Sequence, residues 1–156
     1  METEFTGLLT IIVFLPLVGA LLIATLIKNT NAIRYFAGAV GLTELALGMI
    51  VFFSYDTTKG GVQLVDKLPN WISIESFNVQ YFLGVDGIST PLVLLTGVLG
   101  MVAIFASWGI NDRVREYFIW MLILQTSVMG VFTALDFLLF FILWEIELVP
   151  MFFLIS

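Results

Sequence analysis

The sequence lacks the residue types on which several common kinds of functional site depend. Its 156 residues include neither cysteine nor histidine, which excludes disulfides, Cys/His zinc sites, iron–sulfur clusters and haem held by histidine or cysteine. Only 12% of the residues are charged, and the net charge is −6. Nucleic acid is therefore not expected as a partner, because its recognition needs a basic face. Neither glycine-rich nucleotide motif, GxGxxG or GxxxxGK(S/T), is present.

Apolar residues are abundant. They make up 60% of the chain, and the mean hydropathy is +1.09. Apolar runs of about 20 residues can cross the ~30 Å hydrocarbon core of a bilayer. The mostly apolar stretch from 117 to 156 is too long for one span, and Asp136 divides it. The pattern predicts an all-α polytopic membrane protein with one transmembrane domain over 1–156 and five helices at about 8–27, 32–55, 88–108, 117–135 and 137–156.

One long polar interval, residues 56–86, separates the second and third predicted helices. It contains two runs of strand-forming residues, 71–75 and 79–83, joined by Ser76-Phe77-Asn78, a pattern typical of a β-hairpin. We therefore expect a small hairpin over 71–83 on the outer surface. The alternative is an interfacial cap in which Trp71 and Tyr81 rest in the headgroup layer.

Basic residues predict the orientation, since cytoplasmic loops of membrane proteins carry an excess of lysine and arginine. With the N-terminus outside, four basic residues lie on the inner side and two lie in the long outer loop: Lys28, Arg34, Arg113 and Arg115 against Lys59 and Lys67. The sequence therefore favours an outer N-terminus.

Three glutamates are predicted to lie far from either end of a span. Glu44 is at least ten residues from the charged residues that flank the second span, and Glu145 and Glu147 follow Asp136 by nine and eleven residues. At 1.5 Å per residue, all three come near the membrane midplane. A carboxylate there is costly unless it is protonated, paired or hydrated. A carboxyl group held in this way can take up and release a proton as its surroundings change.

Glu145 and Glu147 are therefore the leading candidates for a proton relay, and Glu44 is a third. Pro150 supports this interpretation, because a proline inside a helix frees the carbonyl four residues earlier, and protein or internal water must then satisfy it. Glu145 and Glu147 lie about 200° apart around the helix. We expect one to face the bundle interior and the other a different helix, subunit or cavity. The alternative is that each glutamate only fixes helix packing through one hydrogen bond.

Polar residues in the fourth span have two possible roles. Gln125, Thr126 and Ser127 could bond between helices or line a wet path, and the sequence favours packing, the commoner role of such residues in membrane helices.

Two segments resemble a known family. The first reads LGVDGIS at 83–89, LTG at 95–97 and SW at 107–108, and the second reads DFLLFF at 136–141 and WEIELVP at 144–150. The first resembles the third-helix signature of the antiporter-like subunits of respiratory complex I. The second is similar to the fifth helix of subunit M, the chain 4 family.

The resemblance implies the first part of a complex I antiporter-like fold, which is built from two inverted helical repeats. It also assigns Glu145 to the essential glutamate of the fifth helix. In the family, a lysine on a later, broken helix tunes this glutamate. Residues 1–156 contain no counterpart of that helix, so we expect the chain to be a fragment of a longer protein that does not pump by itself.

The resemblance further implies a proton-translocating membrane-arm subunit of an enzyme, an NADH (or ferredoxin/NADPH):quinone oxidoreductase. This chain would hold no cofactor, metal or redox centre, and NADH or ferredoxin, flavin, Fe–S clusters and quinone would belong to partner subunits. Its partners would be other membrane-arm subunits of complex I and the lipid of a bacterial inner (plasma) membrane or a thylakoid membrane. The alternatives are a subunit of a multi-subunit Na⁺/H⁺ antiporter and a non-pumping membrane scaffold fragment.

Overall fold

The chain folds into five helices and one hairpin in a computed structural model that describes residues 7–155, except for the side chains of residues 69–73, 77 and 78. All five helices are long and apolar enough to cross a membrane. This architecture confirms the predicted fold class of a helical membrane protein with a small hairpin. The elements are α1 Leu8–Thr25, α2 Thr30–Ser54, β1 Gln63–Ile74, β2 Phe77–Val85, α3 Ser89–Ala106, α4 Val114–Thr133 and α5 Phe137–Ile155.

The hairpin is longer than the predicted segment 71–83. Its strands pair antiparallel from Gln63 opposite Val85 to Ile74 opposite Phe77, so residues 77 and 78 belong to β2 and not to the turn. Register shifts between 63 and 66 and between 68 and 72 interrupt the ladder. Such irregularities break the alternation of side chains by which a strand is recognised in a sequence, and this explains why the sequence pattern does not predict residues 63–70 of β1.

Tyr81 does not rest in the headgroup layer, where the alternative of an interfacial cap places it. Its side chain is only 7% exposed and lies in the apolar core beneath the hairpin. The hydroxyl of Tyr81 shares a hydrogen bond of 2.9 Å with the hydroxyl of Thr10 in α1. Trp71, the other residue of that alternative, has a side chain outside the described ones.

α4 is the central helix of the bundle. It packs most extensively against α1 and α5 and also contacts α2 and α3, while α2 packs against α3 and α1. Gly130 of α4 permits a close approach of α5, because a Cβ atom there would lie 2.7 Å from a methyl carbon of Leu143. α5 packs mainly on α4 and β2. Only 17% of its membrane-spanning window is buried, against 44% for α4, so most of the α5 surface faces outward.

The starts of α1, α3 and α5 lie at one end of the bundle together with the hairpin, and we call this end the hairpin side. Asp66 of β1 is fully buried. Its carboxylate accepts hydrogen bonds from the backbone N–H groups of Gly7 and Thr10 at 2.8 and 2.9 Å and from the hydroxyl of Thr10 at 2.7 Å. A carboxylate from the hairpin thus satisfies N–H groups that the first turn of α1 leaves without helical partners.

Two further aspartates begin helices on the hairpin side. Asp136 accepts from the N–H of Leu138 in α5 at 3.0 Å and from the N–H of Gln80 in β2 at 3.3 Å. Asp86 accepts from the N–H of Ser89 at the start of α3 at 2.7 Å. Hydrogen bonds from the Ser89 backbone and side chain lower the pKa of Asp86. Aspartates therefore fix where these helices begin and join α5 to the hairpin.

The opposite end, which we call the basic side, holds the turns between α1 and α2 and between α3 and α4. The guanidinium of Arg34 donates to the backbone oxygen of Ile110 at 2.7 Å and to Asn111 Oδ1 at 3.1 Å. Arg115 donates to backbone oxygens of Ile23, at 3.1 Å, and Ala24 at the end of α1. Arginines therefore tie the two turns and the end of α1 together.

The apolar core has two clusters of buried residues, one toward each end of the bundle. The hairpin-side cluster consists of Leu9, Ile12, Val13, Val51, Tyr81, Leu83, Val85, Val93, Met129, Leu139 and Leu143. The basic-side cluster consists of Ala20, Ile23, Ile33, Ala37, Val40, Ile104, Val114, Phe118 and Leu122.

Candidate functional site

Between the two apolar clusters, four helices contribute buried residues that are polar or, in one case, proline. α1 and α2 contribute one residue each, α3 contributes one, and α4 contributes three in succession. Each lies near the middle of its helix, where the sequence predicts the membrane midplane. We call this set the midplane layer, and its members are Pro16, Glu44, Thr96, Gln125, Thr126 and Ser127.

Contacts around α1 bring Glu44 and Thr126 to the same height. A Cβ atom on Gly19 would lie 3.1 Å from Cγ2 of Val40 and 3.5 Å from Cδ1 of Leu122, so α2 and α4 meet there. Both helices run from the basic side to the hairpin side. Glu44 and Thr126 follow these contacts by the same four residues, about one helical turn, and so they lie level with each other.

α3 meets the midplane layer through two glycines. A Cβ atom on Gly97 would lie 3.4 Å from the backbone oxygen of Glu44. A Cβ atom on Gly100 would overlap the side-chain amide of Gln125. The absence of side chains at these two positions makes room for the α2 backbone and for the Gln125 amide.

Three side chains of the midplane layer have polar atoms without hydrogen-bond partners among the described residues. They are both carboxyl oxygens of Glu44, both amide heteroatoms of Gln125 and the hydroxyl of Thr126. Glu44 is 0% exposed, and Gln125 and Thr126 are each 5% exposed. Thr96 and Ser127 differ, because their hydroxyls donate to backbone oxygens of their own helices. An unpaired buried polar group costs about 1–3 kcal/mol, so three at one height are poorly explained by packing.

The layer can hold a proton. The six lysines and arginines of the chain lie at 28, 34, 59, 67, 113 and 115, all toward the ends of the bundle. An ionised Glu44 would therefore need water or a counter-charge from elsewhere, whereas a neutral Glu44 carries a proton. Pro16 lacks an N–H group and so leaves the backbone oxygen of Ile12 without its helical donor. Water entering the layer would find several acceptors and donors near the height of the carboxyl group.

α5 brings Glu147 to the edge of this layer. Leu143 packs against Gly130, and the ring of Phe153 stacks on Trp120 with centroids 4.5 Å apart. The same number of residues separates these two contacts on α5 and on α4, so the helices pair antiparallel without a register shift. Glu147 consequently lies at the height of the midplane layer, and it is partly buried.

Glu145 lies on another face of α5 and is exposed. It lines an open groove of about 370 Å³ together with four aromatic residues of the same helix: Phe137, Phe140, Phe141 and Trp144. Glu147 is therefore the member of the pair on the bundle side, and Glu145 faces away from α4.

The burial of the three glutamates runs opposite to the order in which the sequence ranks them. Glu44, the third candidate, is fully buried, Glu147 is partly buried, and Glu145 is exposed. The sequence also favoured simple packing for Gln125 and Thr126, although their spacing from the ends of α4 puts them at the same depth as the glutamates. From that depth, Gln125 and Thr126 could have been predicted to belong to the same site as the glutamates. Across residues 7–155, no cluster of three acidic side chains suited to a metal ion is found.

Comparison with known proteins identifies the family. Residues 8–131 match the family model described as NADH-ubiquinone oxidoreductase chain 4, amino terminus. The chain belongs to this family. The predicted resemblance to the chain 4 family is thus confirmed.

Relatives in the chain 4 family align along nearly the whole sequence. NAD(P)H-quinone oxidoreductase chain 4 2 of Thermosynechococcus vestitus is 39% identical over 158 residues, which cover 100% of this chain and 29% of that protein. NAD(P)H-quinone oxidoreductase chain 4-2 of Synechocystis sp. is 42% identical over 149 residues, which cover 94% of this chain and 26% of that protein. The chain thus spans less than a third of the length of these relatives.

Solved structures share the fold of this chain 4 family member. Respiratory complex I from Thermus thermophilus with bound NADH matches with a TM-score of 0.73 and 22% identity, over 91% of this chain and 27% of that chain. The membrane-bound sulfane sulfur reductase, an archaeal respiratory membrane complex, matches with a TM-score of 0.73 and 20% identity, over 94% of this chain and 22% of that chain. At these identities the likeness concerns the fold alone.

Proposed function

We propose that the chain is the amino-terminal part of a proton-translocating membrane-arm subunit of an NAD(P)H- or ferredoxin-dependent quinone oxidoreductase. Membership of the chain 4 family and the names of its relatives support this assignment. The observation that carries it is the presence of carboxyl groups halfway along apolar helices, with the carboxyl of Glu44 fully buried among other unpaired polar groups. Such groups can store and pass protons inside a membrane.

Three glutamates have distinct parts in this proposal. Glu145, which matches the essential glutamate of the family, alternates between protonated and ionised states in the groove on α5. Its partner groups come from outside α1–α4, because it faces away from α4. Glu147 and Glu44 exchange protons at the edge and in the interior of the midplane layer.

Electron transfer takes place elsewhere in the proposed complex. The iron–sulfur clusters would bind to partner subunits, since this chain has no cysteine or histidine to hold them. The proposal assigns the electron donor, flavin and quinone to partner subunits as well. The partners are other membrane-arm subunits of the complex. Their reactions would reach this subunit as conformational or electrostatic changes along the membrane arm.

The proposed location is a bacterial inner membrane or a thylakoid membrane, with the N-terminus and the hairpin outside. The basic side supports this orientation, because it holds four of the six basic residues and the lysine-bearing hairpin lies at the other end. Positive residues are enriched on the cytoplasmic side of membrane proteins.

The proposal is tested by Glu145→Gln in the full-length subunit within the assembled complex. We expect donor-driven quinone reduction to fall about tenfold or more, because a proton-transferring group of this kind contributes at least that much. Glu75→Gln is the matched control, since Glu75 is an exposed glutamate in the turn of the hairpin, and it should leave the rate unchanged.

Three outcomes would contradict the proposal. Normal quinone reduction in an assembled Glu145→Gln complex would remove the relay role. Loss of assembly on Glu145→Gln, with no effect on the turnover of the complex that still forms, would indicate a scaffold. Loss of sodium tolerance with unchanged quinone reduction, after disruption of the gene, would indicate a subunit of a Na⁺/H⁺ antiporter.

A further inference from the structure

The basic side contains a cavity of about 480 Å³ between the end of α1, the start of α2 and the start of α4. Three of the six basic residues of the chain line it, namely Lys28, Arg113 and Arg115, and one carboxylate, Glu116, also lines it. The cavity is therefore positively charged in a chain whose net charge is −6. This concentration of charge is not used by the proposed proton relay, which lies at the midplane.

The start of α4 adds backbone donors to the cavity. Arg113 precedes the helix in a left-handed conformation, with φ 49°, and its side chain makes no capping hydrogen bond. The first N–H groups of α4, beginning with Val114, therefore have neither a helical acceptor nor a side-chain cap from this residue. Such N–H groups, together with the positive end of the helix dipole, favour an anion.

The three basic groups of the cavity divide into one that is fixed and two that are free to bind. Arg115 is held by its hydrogen bonds to backbone oxygens of Ile23 and Ala24, which join α4 to the end of α1. The side chains of Lys28 and Arg113 make no hydrogen bond or ion pair with any other described residue. Their charges are thus available to a ligand, and the frame around them is already formed.

The depth of the cavity indicates the kind of anion. It lies where α1 ends and α2 and α4 begin, the level at which the hydrocarbon core gives way to lipid headgroups. Apolar side chains, Ile33, Val114 and Ile119, form part of its wall beside the basic groups. A ligand with a phosphate next to acyl chains fits such a wall better than a fully soluble anion does. Basic pockets between membrane helices are suited to anionic headgroups.

We propose that this cavity binds the phosphate group of an anionic phospholipid. Lys28, Arg113 and the first N–H groups of α4 hold the phosphate, and the apolar wall contacts the start of the acyl chains. The lipid thereby joins the α1–α2 turn to the start of α4 on the basic side.

The test measures the thermal stability of the purified, delipidated complex with added lipid. Phosphatidylglycerol should raise the unfolding temperature, whereas phosphatidylcholine and inorganic phosphate should not. In Lys28→Gln/Arg113→Gln, the concentration of phosphatidylglycerol needed for half of the shift should rise about tenfold or more, because two charges near the headgroup are lost. Lys59→Gln/Lys67→Gln, which removes the same charge from the hairpin side, should respond like the wild type.

Three results would overturn the proposal. An equal response to phosphatidylcholine would show that charge is not recognised. An unchanged response in the double variant would show that these residues do not bind the headgroup. An equal shift with inorganic phosphate, lost in the double variant, would identify a soluble phosphate compound as the ligand instead of a lipid. If the double variant does not assemble, the same measurement is made on the single variant Lys28→Gln. This variant should assemble, because Lys28 is exposed in a turn.

Discussion

At the residue scale, Glu44 is the acidic side chain that packing explains least. It is 0% exposed, and neither of its carboxyl oxygens has a partner among residues 7–155. Replacing such a group by an apolar one of similar shape is commonly neutral or stabilising, because the desolvation cost is removed. Its presence is accounted for if it exchanges a proton with water that Gln125 and Thr126 hydrogen-bond in the midplane layer.

Glu44→Met should therefore separate stability from function. We expect the free energy of unfolding of the full-length subunit to stay the same or to rise by about 1–3 kcal/mol, while donor-driven proton uptake falls about tenfold. Thermal unfolding and vesicle acidification measure the two effects. Ser127→Ala is the control, because the Ser127 hydroxyl is satisfied within its own helix and should affect proton uptake little. A loss of 1–3 kcal/mol in Glu44→Met with normal proton uptake would make Glu44 a packing residue.

The depth of the three glutamates could be predicted from the sequence, but their burial could not. Depth follows from counting residues from a charged turn, since each adds a fixed rise to a helix. Burial depends on which side of a helix meets its neighbours. In a membrane helix both sides are apolar, and so the sequence of α5 does not distinguish the side of Glu147 from that of Glu145.

At the element scale, the hairpin holds the start of α1 through the buried carboxylate of Asp66 and the hydroxyl of Tyr81. Asp66 lies on β1 and accepts from two backbone N–H groups and the hydroxyl of Thr10 across the interface. Hydrogen bonds to an ionised acceptor are stronger than neutral ones, and the first turn of a helix is where such an acceptor is most effective. The hairpin is thus part of the helical bundle and not a loose surface loop.

Asp66→Ala should detach this contact. We expect the free energy of unfolding to fall by about 2–3 kcal/mol, because buried N–H groups of α1 lose their acceptor. Faster hydrogen exchange should be confined to the start of α1 and the hairpin. Asp56→Ala is the control, since the side chain of the partly buried Asp56 bonds to Thr58 within its own loop and not to α1. Equal effects of the two substitutions would show that the Asp66 contact does not hold the hairpin to the bundle.

The sequence predicted the existence of the hairpin better than its extent. Residues 71–83 alternate as strands should, and this pattern predicts the hairpin. The rest of the hairpin contains register shifts, and its polar Asp66 is buried against α1 instead of exposed. The burial of Asp66 results from its contact with α1, which is distant in the sequence. The local sequence pattern around Asp66 therefore cannot predict it.

At the scale of the whole molecule, the bundle has two chemically different ends. The hairpin side fastens helix starts with aspartates, and the basic side joins two turns with arginines. The count of spans and this asymmetry of charge could both be predicted, because charged residues are confined to the ends of apolar runs. The central position of α4 could not, since it results from packing among helices of similar composition.

The proposed orientation can be tested with single cysteines, because residues 1–156 contain none. Ser76→Cys in the hairpin turn should react with a membrane-impermeant maleimide added to intact cells or right-side-out vesicles. Asn111→Cys on the basic side should react only after permeabilisation, since positive residues stay on the inner side. The unsubstituted subunit reports background labelling. The reverse pattern of labelling would place the N-terminus inside.

The central claim is that this subunit moves protons through Glu145 at the membrane midplane. The most direct test is the acidification of inverted membrane vesicles driven by the electron donor, compared between Glu145→Gln and wild type at equal amounts of assembled complex. The account predicts that acidification falls about tenfold or more, while Glu75→Gln retains the wild-type rate. Wild-type acidification in the Glu145→Gln complex would contradict it.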